Sequence, residues 1–71
     1  MTIIVYTKPN CPPCNMVKRL LTADGIAFEE RNAADHLDYL EGIGARSAPV
    51  IVDGDHVIHG FDPDQLRRLN Q

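Results

Sequence analysis

Residues 3–14 read IIVYTKPNCPPC, and this stretch decides how the rest of the chain is interpreted. Its first four residues are β-branched or aromatic and do not alternate with polar ones, which is typical of a strand buried on both faces. The Lys-Pro-Asn segment then breaks the strand. From about Pro12 to Asp24 apolar residues recur at helical spacing, and Asp24-Gly25 supplies the stop. Two cysteines therefore lie where a strand gives way to a helix.

The middle of the chain predicts a second strand, a second helix and a hairpin. Residues 26–31 form a short strand with Ile26 and Phe28 on one face. Asn32 or Asp35 caps a helix that carries an apolar set and stops at a pair of glycines. The apolar set is Leu37, Leu40 and Ile43, and the glycines are Gly42 and Gly44. Apolar runs on both sides of Asp53-Gly54 then predict a hairpin with a type I′ turn.

The last segment opens a helix by three signals at once. Asp62 is the N-cap, Pro63 takes the first helical position and Gln65 completes a capping box. Leu66 and Leu69 are expected to face the core. The element order is β-α-β-α-β-β-α, an α/β class. We expect a right-handed parallel crossover, then an antiparallel hairpin on the same sheet, with helices on both faces.

Length and composition exclude several function classes. The 71 residues allow one domain, residues 1–71, and the net charge of −3 argues against general nucleic-acid binding. No apolar run approaches a membrane span, and residues 1–6, MTIIVY, do not resemble a secretory signal. We therefore expect a cytoplasmic and monomeric protein. In the cytoplasm a close cysteine pair is catalytic or metal-binding more often than structural.

The position of Cys11 and Cys14 favours thiol–disulfide exchange. At a helix N-terminus, unpaired N–H groups and the helix dipole stabilise a thiolate and lower the pKa of Cys11. Lys8 adds a positive charge nearby. Cys14, one turn inside the helix, is placed to resolve a mixed disulfide. Pro12 and Pro13 suit the first helical turn, where N–H groups have no intrahelical partner.

Two other classes of function remain possible at this point, a zinc-binding module and a protein-interaction domain. The cysteines are half of a zinc site if histidines complete the four ligands. The candidates are His36, His56 and His59, although their spacing is not that of a zinc finger. The chain is alternatively a protein-interaction domain whose cysteines have lost their role.

The chain resembles the glutaredoxin-like proteins and, among them, the NrdH redoxins. Residues 5–14 look like their strand, approach loop and active site. Ser47-Ala48-Pro49-Val50 is similar to the segment that bears the family's cis-proline. Residues 60–64 look like the Gly-Phe-x-Pro-(Asp/Glu) stretch that opens the last NrdH helix. The resemblance spans essentially the whole chain.

The resemblance implies a thioredoxin fold with a four-stranded mixed sheet flanked by three helices, and Pro49 in cis. It implies that Cys11 and Cys14 react, and it places a set of further residues at the substrate or partner site. That set is Lys8, Pro12, Pro13, Ala48, Pro49, Gly60, Phe61 and Asp62. It implies an electron carrier rather than a stand-alone enzyme, with no cofactor of its own.

Members of the family differ in the partners that they use. NrdH redoxins take electrons from thioredoxin reductase and pass them to ribonucleotide reductase, whereas glutaredoxins depend on glutathione. Gly60-Phe61 and Pro63-Asp64 favour NrdH. Pro12-Pro13 departs from the usual polar NrdH dipeptide, and the chain has no tryptophan before Gly60. Asp62 is closer to the glutathione-binding pattern, unless its role is to cap the helix. Phe61 is a docking ring or packs on the last helix.

Overall fold

The computed structural model describes residues 2–69, so residues 1, 70 and 71 of the expected domain lie outside it. The strands of this part are β1 (Ile3–Thr7), β2 (Phe28–Asn32), β3 (Val50–Asp53) and β4 (His56–His59). Its α-helices are α1 (Pro12–Ala23), α2 (Leu37–Gly42) and α3 (Pro63–Arg68). One short 3₁₀ helix, Ala33–His36, leads into α2.

The strands form one mixed sheet in the order β2-β1-β3-β4. β1 pairs in parallel with β2 and antiparallel with β3, and β4 pairs antiparallel with β3. The thioredoxin-type α/β fold expected from the sequence is confirmed. Because β1 lies inside the sheet, the carboxyl end of an interior strand delivers the chain to Cys11.

Helices cover both faces of the sheet, which explains the continuous apolar run in β1. On one face α1 and α3 pack against a core cluster made of Ile3, Val5, Val17, Leu21, Ile51, Ile58 and Leu66. On the other face a smaller cluster contains Tyr6, Leu40, Val50 and Val52. Alternate residues of β1 and β3 therefore enter opposite clusters, as the pleat of a strand requires.

The second strand begins two residues later than the sequence indicated. Gly25 adopts φ +72°, its N–H donates to Thr22 O, and the Ile26 N–H donates to Leu21 O at 2.9 Å. These are the two bonds of a Schellman motif, so Ile26 ends the helix instead of starting β2. Ile26 and Phe28 still pack against the same core cluster.

The second helix also differs from the expectation. Asn32 caps the 3₁₀ segment through a bond from the Ala34 N–H, not α2. Leu37 opens α2 and is 58% exposed instead of facing the core, because Leu40 occupies the buried position of this six-residue helix. Gly44, at φ +79°, ends α2 as predicted, whereas Gly42 is the last residue of the helix and not part of its stop.

The hairpin is present, but its turn is not type I′. Asp53 remains in the sheet, paired with His56 on one side and with Ile3 on the other. The two turn residues are therefore Gly54 and Asp55. Gly54 adopts φ +61°, whereas Asp55 does not have a positive φ. A positive φ at the first central residue alone is the pattern of a type II′ turn.

The start of α3 agrees with two of the three sequence signals, the Asp62 cap and Pro63. The predicted capping box is wrong, because the Gln65 side chain donates to Asp62 Oδ2 instead of accepting from the Asp62 N–H. Asp62 Oδ1 accepts a hydrogen bond from the Gln65 N–H, and Pro63 occupies the first turn. Phe61 and Leu66 meet in the same core cluster, an arrangement known as a hydrophobic staple. Among residues 2–69, no helix has the length and apolar character needed to cross a bilayer.

Candidate functional site

The two cysteines lie at the junction predicted for them, at the N-terminus of α1. Cys11 is the N-cap residue with extended backbone, and its Sγ accepts a hydrogen bond from the Cys14 N–H at 3.2 Å. Pro12 and Pro13 occupy the first helical turn. The structure shows the oxidised state, with Cys11 and Cys14 joined in a disulfide and their Cα atoms 5.2 Å apart. The sulfur atom of Cys11 therefore lies at the helix N-terminus and accepts from the Cys14 N–H, since Pro12 and Pro13 have no N–H to offer. This bond and the helix dipole favour a thiolate after reduction.

Both cysteines are buried, but only Cys11 borders a surface hollow. Cys11 is 4% exposed and Cys14 is 1% exposed. Cys11 also borders a surface hollow of about 460 Å³, whereas Cys14 does not line it. Lys8 and Asn10 from the approach loop line the same hollow. Cys11 is therefore the cysteine that borders the hollow, with Cys14 one turn behind it.

A polar network that the sequence did not indicate borders this hollow. Glu30 Oε2 accepts from Thr7 Oγ1 at 2.8 Å and from Lys18 Nζ at 3.0 Å. These bonds, first that from Lys18 and then that from Thr7, hold the pKa of Glu30 below its ordinary value. Thr7 is the buried polar residue at the end of β1. The position of Thr7 just before the approach loop could have marked it as a residue near the site. No local sequence pattern, however, links Thr7 to Glu30.

Pro49 lies at the same end of the sheet as the cysteines. The Ala48–Pro49 peptide bond is cis, as the family resemblance implied. Val50 pairs with Tyr6 of β1, so the antiparallel register carries Pro49 to the level of Thr7, where the chain leaves for Cys11. The Gly60 N–H donates to Pro49 O at 2.8 Å, and this bond brings the 60–62 segment to the same edge.

Phe61 and Asp62 each had two alternative roles, and their contacts distinguish between them. Phe61 is half-buried against the core cluster, which supports packing on α3 over docking. Asp62 uses both carboxylate oxygens on Gln65, with Gln65 Nε2 donating to Oδ2 at 2.8 Å. The bonds from the Gln65 side chain and backbone lower the pKa of Asp62. Asp62 is therefore committed to the helix cap.

A second hollow, of about 500 Å³, lies beside the cis-proline segment. Its lining includes Lys8 and Arg46, together with the apolar side chains of Leu37 and Leu40. Ala48 borders it as well, and Lys8 lines both hollows. Of the residues assigned to partner binding, the remaining six line neither hollow; they are Pro12, Pro13, Pro49, Gly60, Phe61 and Asp62. No local pattern in the sequence pointed to Arg46.

The histidines proposed as zinc ligands do not group with the cysteines. Two of them contact other side chains, and the third is exposed. The His36 ring packs edge-on against Tyr6, with centroids 5.4 Å apart. His56 Nε2 forms a hydrogen bond with Gln65 Oε1 at 3.2 Å. His59 is exposed at the end of β4. Within residues 2–69, no three or more His, Cys, Asp or Glu side chains group so as to hold a metal ion.

Comparison with known proteins shows the family of the chain. The Glutaredoxin family model matches residues 3–57. A "Glutaredoxin-like protein NrdH" from Lactococcus lactis subsp. lactis is 40% identical over 70 residues, covering 94% of this chain and 97% of the relative. A protein of the same description from Salmonella typhimurium is 38% identical over 73 residues, covering 99% and 90%. The solved structure of the glutaredoxin-like protein NrdH-redoxin from Escherichia coli superposes with a TM-score of 0.90 at 35% identity, covering 97% and 95%.

The chain belongs to the glutaredoxin family and is similar to its NrdH members along nearly its whole length. Together with the Cys11–Cys14 pair, this makes it a thiol–disulfide redoxin of thioredoxin fold.

Proposed function

We propose that this redoxin is an NrdH-type electron donor that reduces a disulfide of ribonucleotide reductase and is recharged by thioredoxin reductase. The observation that carries the proposal is the position of Cys11, at the N-terminus of α1 and beside an open hollow, with Cys14 bonded behind it. The similarity to NrdH relatives over nearly the whole chain supports this choice of partners. We place the reaction in the cytoplasm, where dithiols are kept reduced.

The reaction runs in two exchanges. In the reduced protein the Cys11 thiolate attacks one sulfur of the partner's disulfide, and the partner's other sulfur leaves as a thiolate that takes a proton. Cys14 then loses its proton and attacks the Cys11 sulfur. This step forms the intramolecular disulfide and releases the second partner thiol. Two electrons and two protons pass to the partner, and thioredoxin reductase returns them with electrons from NADPH.

The remaining assigned residues act around this exchange. Lys8 lies on the hollow that borders Cys11, where its charge favours a thiolate. Ala48 and Pro49 offer a backbone edge to the incoming peptide, and the Gly60 N–H bond to Pro49 O holds that edge. Pro12 and Pro13 limit the motion of the first helical turn between the two sulfurs.

The second candidate is a glutathione-dependent glutaredoxin. The observation that favours it is the hollow beside the cis-proline, where Lys8 and Arg46 outweigh the carboxylate of Glu41. A wall with net positive charge suits a small anionic peptide. Against it, each carboxylate oxygen of Asp62 already accepts a hydrogen bond from Gln65, which leaves less acceptor capacity for the amino group of glutathione. The commitment of Asp62 favours the first candidate.

A coupled assay separates the two candidates. Oxidised protein is mixed with NADPH and thioredoxin reductase, and in parallel with glutathione, NADPH and glutathione reductase. We expect rapid NADPH oxidation in the first mixture and little in the second. Reduction by glutathione alone would overturn the NrdH proposal in favour of a glutaredoxin, and one tightly held zinc per chain would overturn both.

Cysteine variants test the assigned steps. We expect Cys11→Ser to abolish reduction of insulin or partner disulfides, because the attacking thiolate is gone. We expect Cys14→Ser to accumulate a mixed disulfide on Cys11, visible as a mass increase that dithiothreitol removes. A Cys11→Ser protein that still forms mixed disulfides would contradict the order of attack.

A further inference from the structure

One charged group near the sulfurs has no part in the exchange described above. Glu30 of β2 receives two hydrogen bonds on the same oxygen, one from Thr7 of β1 and one from Lys18 of α1. A single carboxylate thus links the strand that leads to Cys11 with the helix that Cys11 caps.

This group and Cys11 line the same hollow. Thr7, Lys18 and Glu30 all line the hollow that Cys11 borders, and Lys8 lines it from the approach loop. The other polar side chains on its wall are the neutral Asn10, Asn15 and Asn32. The formal charges around the Cys11 thiolate are therefore two lysines and one glutamate.

The pair is charged at neutral pH and partly solvated. Its hydrogen bonds lower the pKa of Glu30, so the side chain is a carboxylate in any assay above its ordinary pKa of 4.5. The side chains of Lys18 and Glu30 are 31% and 45% exposed. The ion pair itself contributes little to stability at such exposure. The effect of these two charges on a thiolate in the hollow is a different quantity from their contribution to folding stability.

We propose that Glu30 is a positioning residue that sets the acidity of Cys11 by holding Lys18 in a neutral pair. With Glu30 present, Lys8 supplies the net positive charge of the hollow. Without it, the Lys18 ammonium adds a second charge, and the Cys11 thiol ionises at lower pH. The inference rests on the assignment of Cys11 as the nucleophile and deepens it, but it does not depend on which protein is the partner.

The dimensions of the hollow give the expected size of the effect. A volume of about 460 Å³ corresponds to a space about 10 Å across. A unit charge acting through about 10 Å of water shifts a pKa by about 0.3 unit. Salt at about 0.1 M has a Debye length of about 10 Å, so the shift is measured near 0.01 M ionic strength.

Three variants separate charge from shape. Glu30→Gln keeps an oxygen that accepts the Thr7 hydrogen bond but removes the negative charge. Lys18→Met keeps the apolar stem but removes the positive charge, and the double variant removes both. Glu29→Gln is the matched control: the neighbouring residue of β2 points to the other side of the strand and pairs with Arg31.

The pKa of Cys11 is measured in a Cys14→Ser background, where one thiol remains, from the pH dependence of its alkylation by iodoacetamide. We expect Glu30→Gln to lower the pKa by about 0.3 unit and Lys18→Met to raise it by a similar amount. The double variant and Glu29→Gln should match the parent within about 0.1 unit. With both cysteines present, Glu30→Gln should also make the disulfide easier to reduce by glutathione.

The results distinguish this inference from the proposed function. Shifts below about 0.1 unit for both single variants, or shifts of the same sign, would overturn the role of Glu30 while the cysteine chemistry stands. Loss of all alkylation differences together with an active Cys11→Ser protein would instead overturn the assignment of Cys11. Circular dichroism of each variant confirms that the fold is retained when pKa values are compared.

Discussion

Replacement of Leu21 by alanine tests how α1 is held in position beneath the cysteines. The buried residues of α1 are Cys14, Val17 and Leu21, one stripe of the helix that presses on the sheet. Leu21 is fully buried, and it is also the residue whose carbonyl accepts the Ile26 N–H that ends the helix. The Leu21→Ala cavity therefore opens beneath the helix that positions Cys14.

The expected loss is a large share of the total stability. A chain of 71 residues has about 4–11 kcal/mol of unfolding free energy. A buried Leu→Ala replacement costs about 2–5 kcal/mol, because the apolar contacts are lost and a cavity remains. With a urea m-value of about 1 kcal/mol/M, the midpoint falls by about 2 M or more.

The assay is urea unfolding of the oxidised protein followed by circular dichroism. Met16→Ala is the matched control, since Met16 lies on the same helix and is 48% exposed. Its change should stay within about 0.5 kcal/mol. A Leu21→Ala protein that loses no more stability than Met16→Ala would refute the packing of α1 described here.

Two further predictions concern the glycines of α2 and the cap of α3. Gly42 lies in helical backbone and Gly44 at φ +79°, and a Cβ added at either would have no neighbour within 4 Å. Gly42→Ala should therefore stabilise the protein by about 0.5–1 kcal/mol, and Gly44→Ala should destabilise it by about 1 kcal/mol, in urea titrations. Equal effects of the two substitutions on stability would contradict the helical backbone at Gly42 and the positive φ at Gly44. Because Gln65 lowers the pKa of Asp62, this carboxylate stabilises the fold above its unfolded pKa near 3.8, and the stabilisation is lost as pH falls through the folded value. The difference in Tm between wild type and Asp62→Ala should accordingly be larger at neutral pH than in acid, and a gap that widens in acid would be the wrong sign.

Local patterns were sufficient for the reactive junction and for most helix ends. Cys11, Pro12 and Pro13 define the start of α1 within three residues, and Asp62 and Gln65 define the start of α3 within four. Such signals work because capping bonds join backbone and side-chain groups that are neighbours in the chain. The cis bond before Pro49 followed from family resemblance and not from composition, since most X-Pro bonds are trans.

Long-range packing determined the position of the hairpin turn and the buried residue of α2, where local signals were insufficient. Asp53-Gly54 reads as a type I′ turn, but the pairing of Asp53 with Ile3 keeps that residue in the sheet and moves the turn along by one residue. Leu37 has the spacing of a core residue, but the shortness of α2 leaves Leu40 as its buried side chain. In both cases the sheet and the opposite layer determine which backbone groups and apolar side chains are covered.

The sequence by itself determined the chemistry of this protein: two thiols at a helix N-terminus, one turn apart, in a small α/β chain. Only the tertiary structure decided what surrounds them. Glu30 lies 12 residues from Lys18 and 23 from Thr7, and their contact exists because β2 pairs in parallel with β1 while α1 crosses the same face. Electrostatic surroundings depend on distances through space, which no spacing along the chain specifies until the strands are in register.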